Sequence, residues 1–345
     1  MAGMTASGIR VGVIGLGRSW EARHKPALAR MKDRFEVVAV YDQVARRAEI
    51  EADQLGCRAF EGLTALLERP EIDAVLLLAP QWFGSHPIEL AARFGKAVYS
   101  GVPLTDEGEG LDRLDRLVRS SGIKFKAEFA PRFYPATARL LELIPTKLGP
   151  VLDLSGSVPL AKLDRAQAPS PGSRMVPGSI LDDPGQSLVD LSRALFGAEI
   201  SSVDALRFNH PTLINGEPDR YRIFIGFDST DARKAGIAVR HEQSEPEVGD
   251  LPWHPPTFRI TTQLGTAWLE WPNLIRWNDG STDHEERLPE GPPIGEVLLD
   301  EFSRMVQGRD HSAPTWTDAV AAARSVAAVR RSVLEGRAVA LEPRS

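Results

Sequence analysis

Ile9-Arg10-Val11-Gly12-Val13-Ile14, followed at once by Gly15-Leu16-Gly17, decides how the first third of this chain is read. The first six residues form a short apolar run rich in β-branched side chains, which suits a strand buried on both faces of a parallel sheet. A helical pattern follows directly, with Ala22, Pro26, Ala27, Leu28 and Met31. Gly15 permits the tight turn. Gly17 lets the backbone come within contact of a pyrophosphate, whose charge is met by free N–H groups at the helix start. Arg18, Ser19 and Trp20 open that helix, and Trp20 holds the nominal place of the third fingerprint glycine. A residue of that size either pushes the helix outward or points away from the strand.

A second strand, Phe35 to Tyr41, ends in Asp42, an acid at about the distance a dinucleotide fingerprint requires. Asp42 is suited to accept hydrogen bonds from the adenosine ribose hydroxyls and to repel a 2′-phosphate, which favours NAD; Arg46 and Arg47 nearby keep NADP open. The plainer reading of the same residues is an empty turn with Asp42 as a helix N-cap.

From there strands and helices alternate. Helical patterns run to about Leu55 and to Glu68, from Pro87 to Phe94 and from Asp106 to Ser120; strands are expected at Ala74 to Ala79, Ala97 to Ser100 and Lys124 to Phe129. Such alternation specifies a doubly wound parallel sheet. The loop after the strand at Ala74, containing Pro80, Gln81 and Trp82, lies at the carboxyl edge of that sheet, where ligands bind in this architecture. His86 opens the next helix beside it. After a helix from Pro135 to Lys147 the pattern changes to strands with alternating polarity: Val151 to Val158, Ile200 to Phe208, Tyr221 to Phe227, Lys234 to His241, Thr257 to Gln263, Thr266 to Trp271 and Leu274 to Trp277. These suit an open antiparallel sheet with one wet face. Two helices close the chain, Ile294 to Gln307 and Thr317 to Glu335. The expected fold is an N-terminal Rossmann domain over 1–130 and an α+β substrate and oligomerisation domain over 131–345.

At 345 residues the chain exceeds what one core usually covers, and 42% hydrophobic with 26% charged residues is a globular composition. A net charge of −6 without a basic stripe argues against a nucleic-acid partner. The longest apolar run is far too short for a bilayer, and no secretion signal is evident, so the cytoplasm is the expected compartment. Cys57 is the only cysteine, which excludes an internal disulfide and a thiolate metal cluster. The seven histidines show no metal-ligand spacing, and none is expected to hold a metal.

In order and spacing, a set of segments resembles the glucose-fructose oxidoreductase / inositol dehydrogenase / rhizopine-catabolism (Gfo/Idh/MocA) family. They are Gly15-Leu16-Gly17, Val40-Tyr41-Asp42, Leu78-Ala79-Pro80-Gln81, Gly95-Lys96-Ala97-Val98-Tyr99, Arg132-Phe133 with Pro135, Asp183 and Asp190 ahead of Leu195-Phe196-Gly197, and Glu335 to Val339. The resemblance implies a nicotinamide cofactor, oxidation of a sugar or cyclitol hydroxyl or the reverse, and a homo-oligomer through the second sheet. It also exposes departures. Where the family reads Glu-Lys-Pro, this chain has Gly101, Val102 and Pro103; where its helix carries Asp and His four residues apart, Asp183 is kept but Ser187 stands for the His; its loop His aligns with Gly84. A general base must reach the hydroxyl proton and titrate near the working pH, which valine and serine do not.

Candidates for the missing chemistry are Asp183, Tyr134, Glu128 and the fixed charge of Arg132. Lys162, Arg165 and Arg174 offer charge for an anionic substrate. Each has a plainer role: Asp183 as an N-cap before Pro184, Tyr134 as packing, Glu128 and Arg132 as partners of each other, and the three cations as a solvated loop. His24 reads as a helix-surface residue. Trp268 and Trp271, three apart, point to opposite faces on one strand. Two function classes therefore stay open: an NAD(P)-dependent oxidoreductase of a sugar-like substrate with a non-standard site, and a catalytically silent dinucleotide-binding sensor, regulator or companion subunit.

Overall fold

The computed structural model describes residues 8–78, 83–160, 181, 185–208, 220–227, 234–241 and 257–341. They form two compact units: 1–130 with 291–323, and 131–290 with 324–345. The chain thus returns to its first unit after leaving it, a second crossing that strand and helix periodicity does not reveal.

The first unit is a six-stranded, wholly parallel sheet. Its strands are β1 (Ile9–Ile14), β2 (Phe35–Tyr41), β3 (Arg58–Ala59), β4 (Ala74–Leu77), β5 (Ala97–Ser100) and β6 (Phe125–Ala127), in the spatial order β3-β2-β1-β4-β5-β6. The order reverses between β1 and β4, and such a switch point opens a crevice at the carboxyl ends of the strands. The connections carry α1 (Lys25–Arg30), α2 (Ala45–Leu55), α3 (Leu63–Leu67), α4 (His86–Arg93) and α5 (Gly108–Ser121). Every residue of β4 and β5 is buried, as a strand covered on both faces requires.

In the second unit α6 (Pro135–Leu143) runs into a π-turn at Ile144–Leu148. Pro145 has no N–H to give to an α-helical ladder, so the regular helix ends earlier than its polarity pattern suggests. Then come β7 (Val151–Leu160), α7 (Gln186–Phe196), β8 (Ile200–Phe208), β9 (Arg220–Phe227), β10 (Lys234–His241), β11 (Thr257–Thr262), β12 (Thr266–Glu270), β13 (Leu274–Asn278) and β14 (Asp283–Arg287). The chain continues through α8 (Ile294–Val306), α9 (Trp316–Glu335) and β15 (Val339–Ala340).

The second sheet has the order β14-β13-β12-β11-β7-β10-β9-β8-β15. It is mostly antiparallel; β10 and β7 pair in parallel, and the long stretch between them supplies the crossover such a pair needs. β14 and β15 go beyond the strands expected from sequence, since a strand exposed at the edge and a two-residue strand leave little polarity signal. One face is buried through Phe258, Ile260, Ala267 and Leu269. The other bears Leu152, Leu206, Phe224 and Trp268, each at least 40% exposed. Trp271 turns the other way, its ring 4.7 Å from Phe258 and its Nε1 donating to Thr137 at 3.0 Å.

In the first unit α8 and the start of α9 cover the β5–β6 side. Phe302 meets the Tyr99 ring at 5.6 Å, Lys124 Nζ donates to the Met305 carbonyl at 2.8 Å, and Trp316 Nε1 donates to Asp115 at 2.8 Å. No described helix is long and apolar enough to cross a membrane.

Candidate active site

The glycine turn is built as its sequence requires. Gly15 sits at φ 95°, a left-handed conformation that a side chain would strain, and donates its amide to the Tyr41 carbonyl at 2.8 Å. Leu16 then donates its amide to Asp42 Oδ2 at 2.8 Å, in buried surroundings. Asp42 Oδ1 accepts the Val44 amide at 2.9 Å, so one carboxylate caps its own loop and clamps the turn. Arg47 Nη1 lies 3.3 Å from the same oxygen. Above Gly17 the space is open: a Cβ added there would meet nothing within 4 Å. Gly17 and Arg18 are exposed and Ser19 half-buried, and the first amides of a helix have no acceptor within it. An open turn, a helix start and an acidic residue at the end of β2 fit a dinucleotide. Gly15, Gly17, Arg18, Ser19 and Asp42 are the residues that would hold its pyrophosphate and ribose.

Trp20 does not occupy the open space above Gly17. It is fully buried, and the chain from Trp20 to His24 is a π-turn closed by the Lys25 amide on the Trp20 carbonyl. A π-turn takes in one more residue than an α-turn and rotates the residues after it. His24 is therefore buried completely, which corrects its expected place on the helix surface. Burial, then the charges of Arg23 and Lys126, hold its pKa down to about 3. Its Nε2 is 3.0 Å from Glu128 Oε2, off the line that a hydrogen bond needs. That carboxylate would favour a proton on His24 if it stood alone, but Arg23 already neutralises it, and the imidazole stays neutral.

Glu128, just beyond β6, is the centre of this cluster. Its Oε1 pairs with Arg23, its Oε2 accepts the Tyr99 hydroxyl at 2.7 Å, and its side chain is only 7% exposed. Tyr99 is fully buried, which pushes its phenol pKa well up, and Lys126 Nζ lies 4.7 Å over its ring. Both Glu128 oxygens thus have partners within the first unit. Arg132 reaches Asp190 in the second unit, a bidentate pair at 2.5 and 2.6 Å in which Asp190 is fully buried.

Val102 follows β5 in a half-exposed loop whose carbonyl accepts Ser100 Oγ at 2.8 Å. His86 is 59% exposed at the start of α4, with Glu89 4.0 Å away. In the second unit Ser187 is buried on α7, and Tyr134 precedes α6 with its ring 5.2 Å from Trp271. Pro80, Gln81, Asp183, Lys162, Arg165 and Arg174 lie outside the described residues. Sequence reasoning missed Arg23 and Tyr99; the signal available was Gly101, whose missing side chain leaves room for a carboxylate from elsewhere. Among the described residues no three His, Cys, Asp or Glu gather as a metal site.

Comparison with known proteins agrees with this geometry. Residues 9–129 match the model of the Gfo/Idh/MocA family, described as an oxidoreductase family with an NAD-binding Rossmann fold. The chain is 32% identical over 154 residues to a dTDP-3,4-didehydro-2,6-dideoxy-alpha-D-glucose 3-reductase of Streptomyces violaceoruber, covering 44% of this chain and 45% of that protein. It is 30% identical over 231 residues to scyllo-inositol 2-dehydrogenase (NAD(+)) of Bacillus subtilis, covering 64% of each. The matches thus span less than two thirds of these relatives. An oxidoreductase from Thermotoga maritima superposes with TM-score 0.80 at 22% identity, covering 96% of this chain and 98% of that one, which shows a shared fold. By its turn, its sheet order and this match, residues 9–129 carry the NAD-binding Rossmann fold of the Gfo/Idh/MocA oxidoreductase family model.

Proposed function

We propose that the protein is an NAD(P)-dependent oxidoreductase acting on a hydroxyl of a sugar- or cyclitol-like substrate through a non-standard site. The observation that carries this reading is the clamp of Asp42 on the Leu16 amide beneath an open Gly17, which presents a formed dinucleotide turn. The sugar reductase and inositol dehydrogenase among its relatives support the substrate class. NAD is the preferred cofactor, because the Asp42 carboxylate repels a 2′-phosphate; Arg47 beside it keeps NADP as the second choice. A bound nicotinamide supplies the hydride acceptor or donor. The chain must supply the proton path, and Val102 has none to give. Asp183 and Tyr134 are the candidate bases or acids, with Arg132 holding Asp190 rather than taking a proton. Pro80, Gln81 and His86 are further candidates for contacts with the nucleotide. The protein works in the cytoplasm as a homo-oligomer through the exposed face of the second sheet, where Leu152, Leu206, Phe224 and Trp268 leave apolar surface in water.

The second reading, a catalytically silent nucleotide-binding sensor, regulator or companion subunit, rests on Val102 and Ser187 standing where the family's lysine and histidine are expected. Calorimetric titration with NAD, NADH, NADP and NADPH, followed by a polyol and sugar screen, separates the two. Binding with turnover supports the enzyme, binding without turnover supports the silent protein, and no binding overturns both.

A further inference from the structure

Gly101 is the first residue beyond β5, and its φ is outside the left-handed region, so nothing in its backbone calls for glycine. What calls for it is the space above it. A Cβ there would lie 3.0 Å from Glu128 Oε2 and 2.7 Å from Leu78 Cδ2. The Leu78 methyl is the far end of a rotatable side chain and can yield; the carboxylate is pinned on both oxygens and cannot. Glu128 therefore fills from β6 the volume that a side chain at 101 would occupy. Its main chain is fixed there too, since its amide donates to the Ser100 carbonyl at 2.9 Å.

This one carboxylate joins distant parts of the first unit. Arg23 lies on the π-turn that follows the glycine turn, and Tyr99 is on β5. Gly295, at the start of α8, packs so closely on Arg23 that a Cβ there would be 2.8 Å from its carbonyl. The Arg23 main chain thus has no room toward α8, and its side chain is held by Glu128. With Glu128 buried and Arg23 39% exposed, this ion pair is weak evidence for net stability, but it fixes geometry.

We propose that Glu128 is a positioning residue for the cofactor turn: delivered from the end of β6 into the space over Gly101, its carboxylate holds Arg23 and so sets the π-turn behind Gly15-Leu16-Gly17. A carboxylate reaching this point from position 101 does the same work, and Gly101 and Glu128 are a coupled exchange. The proposal rests on the nucleotide-binding reading above.

The test is a swap in the full chain: Glu128→Ala, Gly101→Glu, and the two together, with NADH affinity and amide hydrogen exchange over 18–24 as readouts. Glu128→Ala weakens NADH binding by about tenfold and speeds exchange at the π-turn. Gly101→Glu alone crowds two carboxylates and weakens binding as well. Together they return affinity to within about threefold of the original and restore slow exchange. Should Glu128→Ala not fold, Glu128→Ser, which also empties the space over Gly101, takes its place in the same cycle. A double variant no better than the Glu128 variant alone overturns the proposal, as does a Glu128 variant that changes neither readout. If the unaltered protein binds no nicotinamide nucleotide, the functional reading fails, and exchange over 18–24 in the same variants still decides the swap.

Discussion

Asp42 Oδ2 takes the amide of Leu16 at 2.8 Å across 26 residues of chain, so the acid that would meet a ribose also holds the turn that would meet a pyrophosphate. Asp42→Ala therefore affects two properties at once. Orphaning the buried amide costs about 1–3 kcal/mol, read by urea unfolding. NAD affinity falls by about tenfold or more, read by calorimetry. Asp42→Asn keeps an acceptor and loses less stability. NAD affinity unchanged in Asp42→Ala would remove this residue from the cofactor site.

Position 102 offers the opposite experiment. Val102→Lys with Ser187→His restores the groups that the family resemblance leads one to expect, and NAD-dependent oxidation of inositols or sugars rises by at least about tenfold. Ser187 is buried, so the histidine needs room on α7, and the single Val102→Lys is measured beside the pair. No gain in either shows that more than these two groups separates this site from an active one.

His24 gives a pH signature. Its pKa in the folded chain is about 3 against 6.5 for the free side chain, so the unfolded state takes up a proton that the native state refuses. Stability therefore falls as pH drops below about 6.5, by as much as about 1.4 kcal/mol per pH unit until the folded pKa is reached. Between about pH 7 and pH 5 the loss from this group is about 2 kcal/mol. His24→Gln should lack that share of the loss in urea unfolding at the two pH values. Parallel acid limbs in the two proteins would mean that His24 is charged in the native state.

Trp268 tests the assembly. It is 42% exposed beside an open groove of about 860 Å³ on β7 and β11–β14, together with Arg259, Arg276 and Glu285. Trp268→Glu puts a charge into the proposed contact between copies, and light scattering should show the mass fall toward a single chain. An unaltered protein that is already monomeric rules out the oligomer.

The parallel sheet was legible because β1, β4 and β5 are buried on both faces and written as apolar runs, with Gly15 and Asp42 marking the turn and the end of β2. The glycine turn clamped by Asp42 was legible for the same reason: it is built from backbone and one acid at a fixed distance. The cluster around Glu128 was not. It depends on β5 lying beside β6 and on a π-turn that rotates His24 inward, and neither a neighbour in space nor an extra residue in a helical turn changes the local polarity pattern. Arg132 shows the same limit: its partner, Asp190, lies 58 residues away. The parallel pairing of β7 with β10 was hidden because alternation fixes which side a strand shows and says nothing about its direction.

The chain enters the first unit, leaves it at 130, comes back at 291 and leaves it again within α9. The nucleotide-binding half is therefore not a cassette that one cut can excise. A fragment ending at 130 would lack Phe302 against Tyr99, the Met305 carbonyl that receives Lys124, and Trp316 on Asp115. Recombination that exchanges the second unit has to carry two separate gene segments, 131–290 and 324–345, in register.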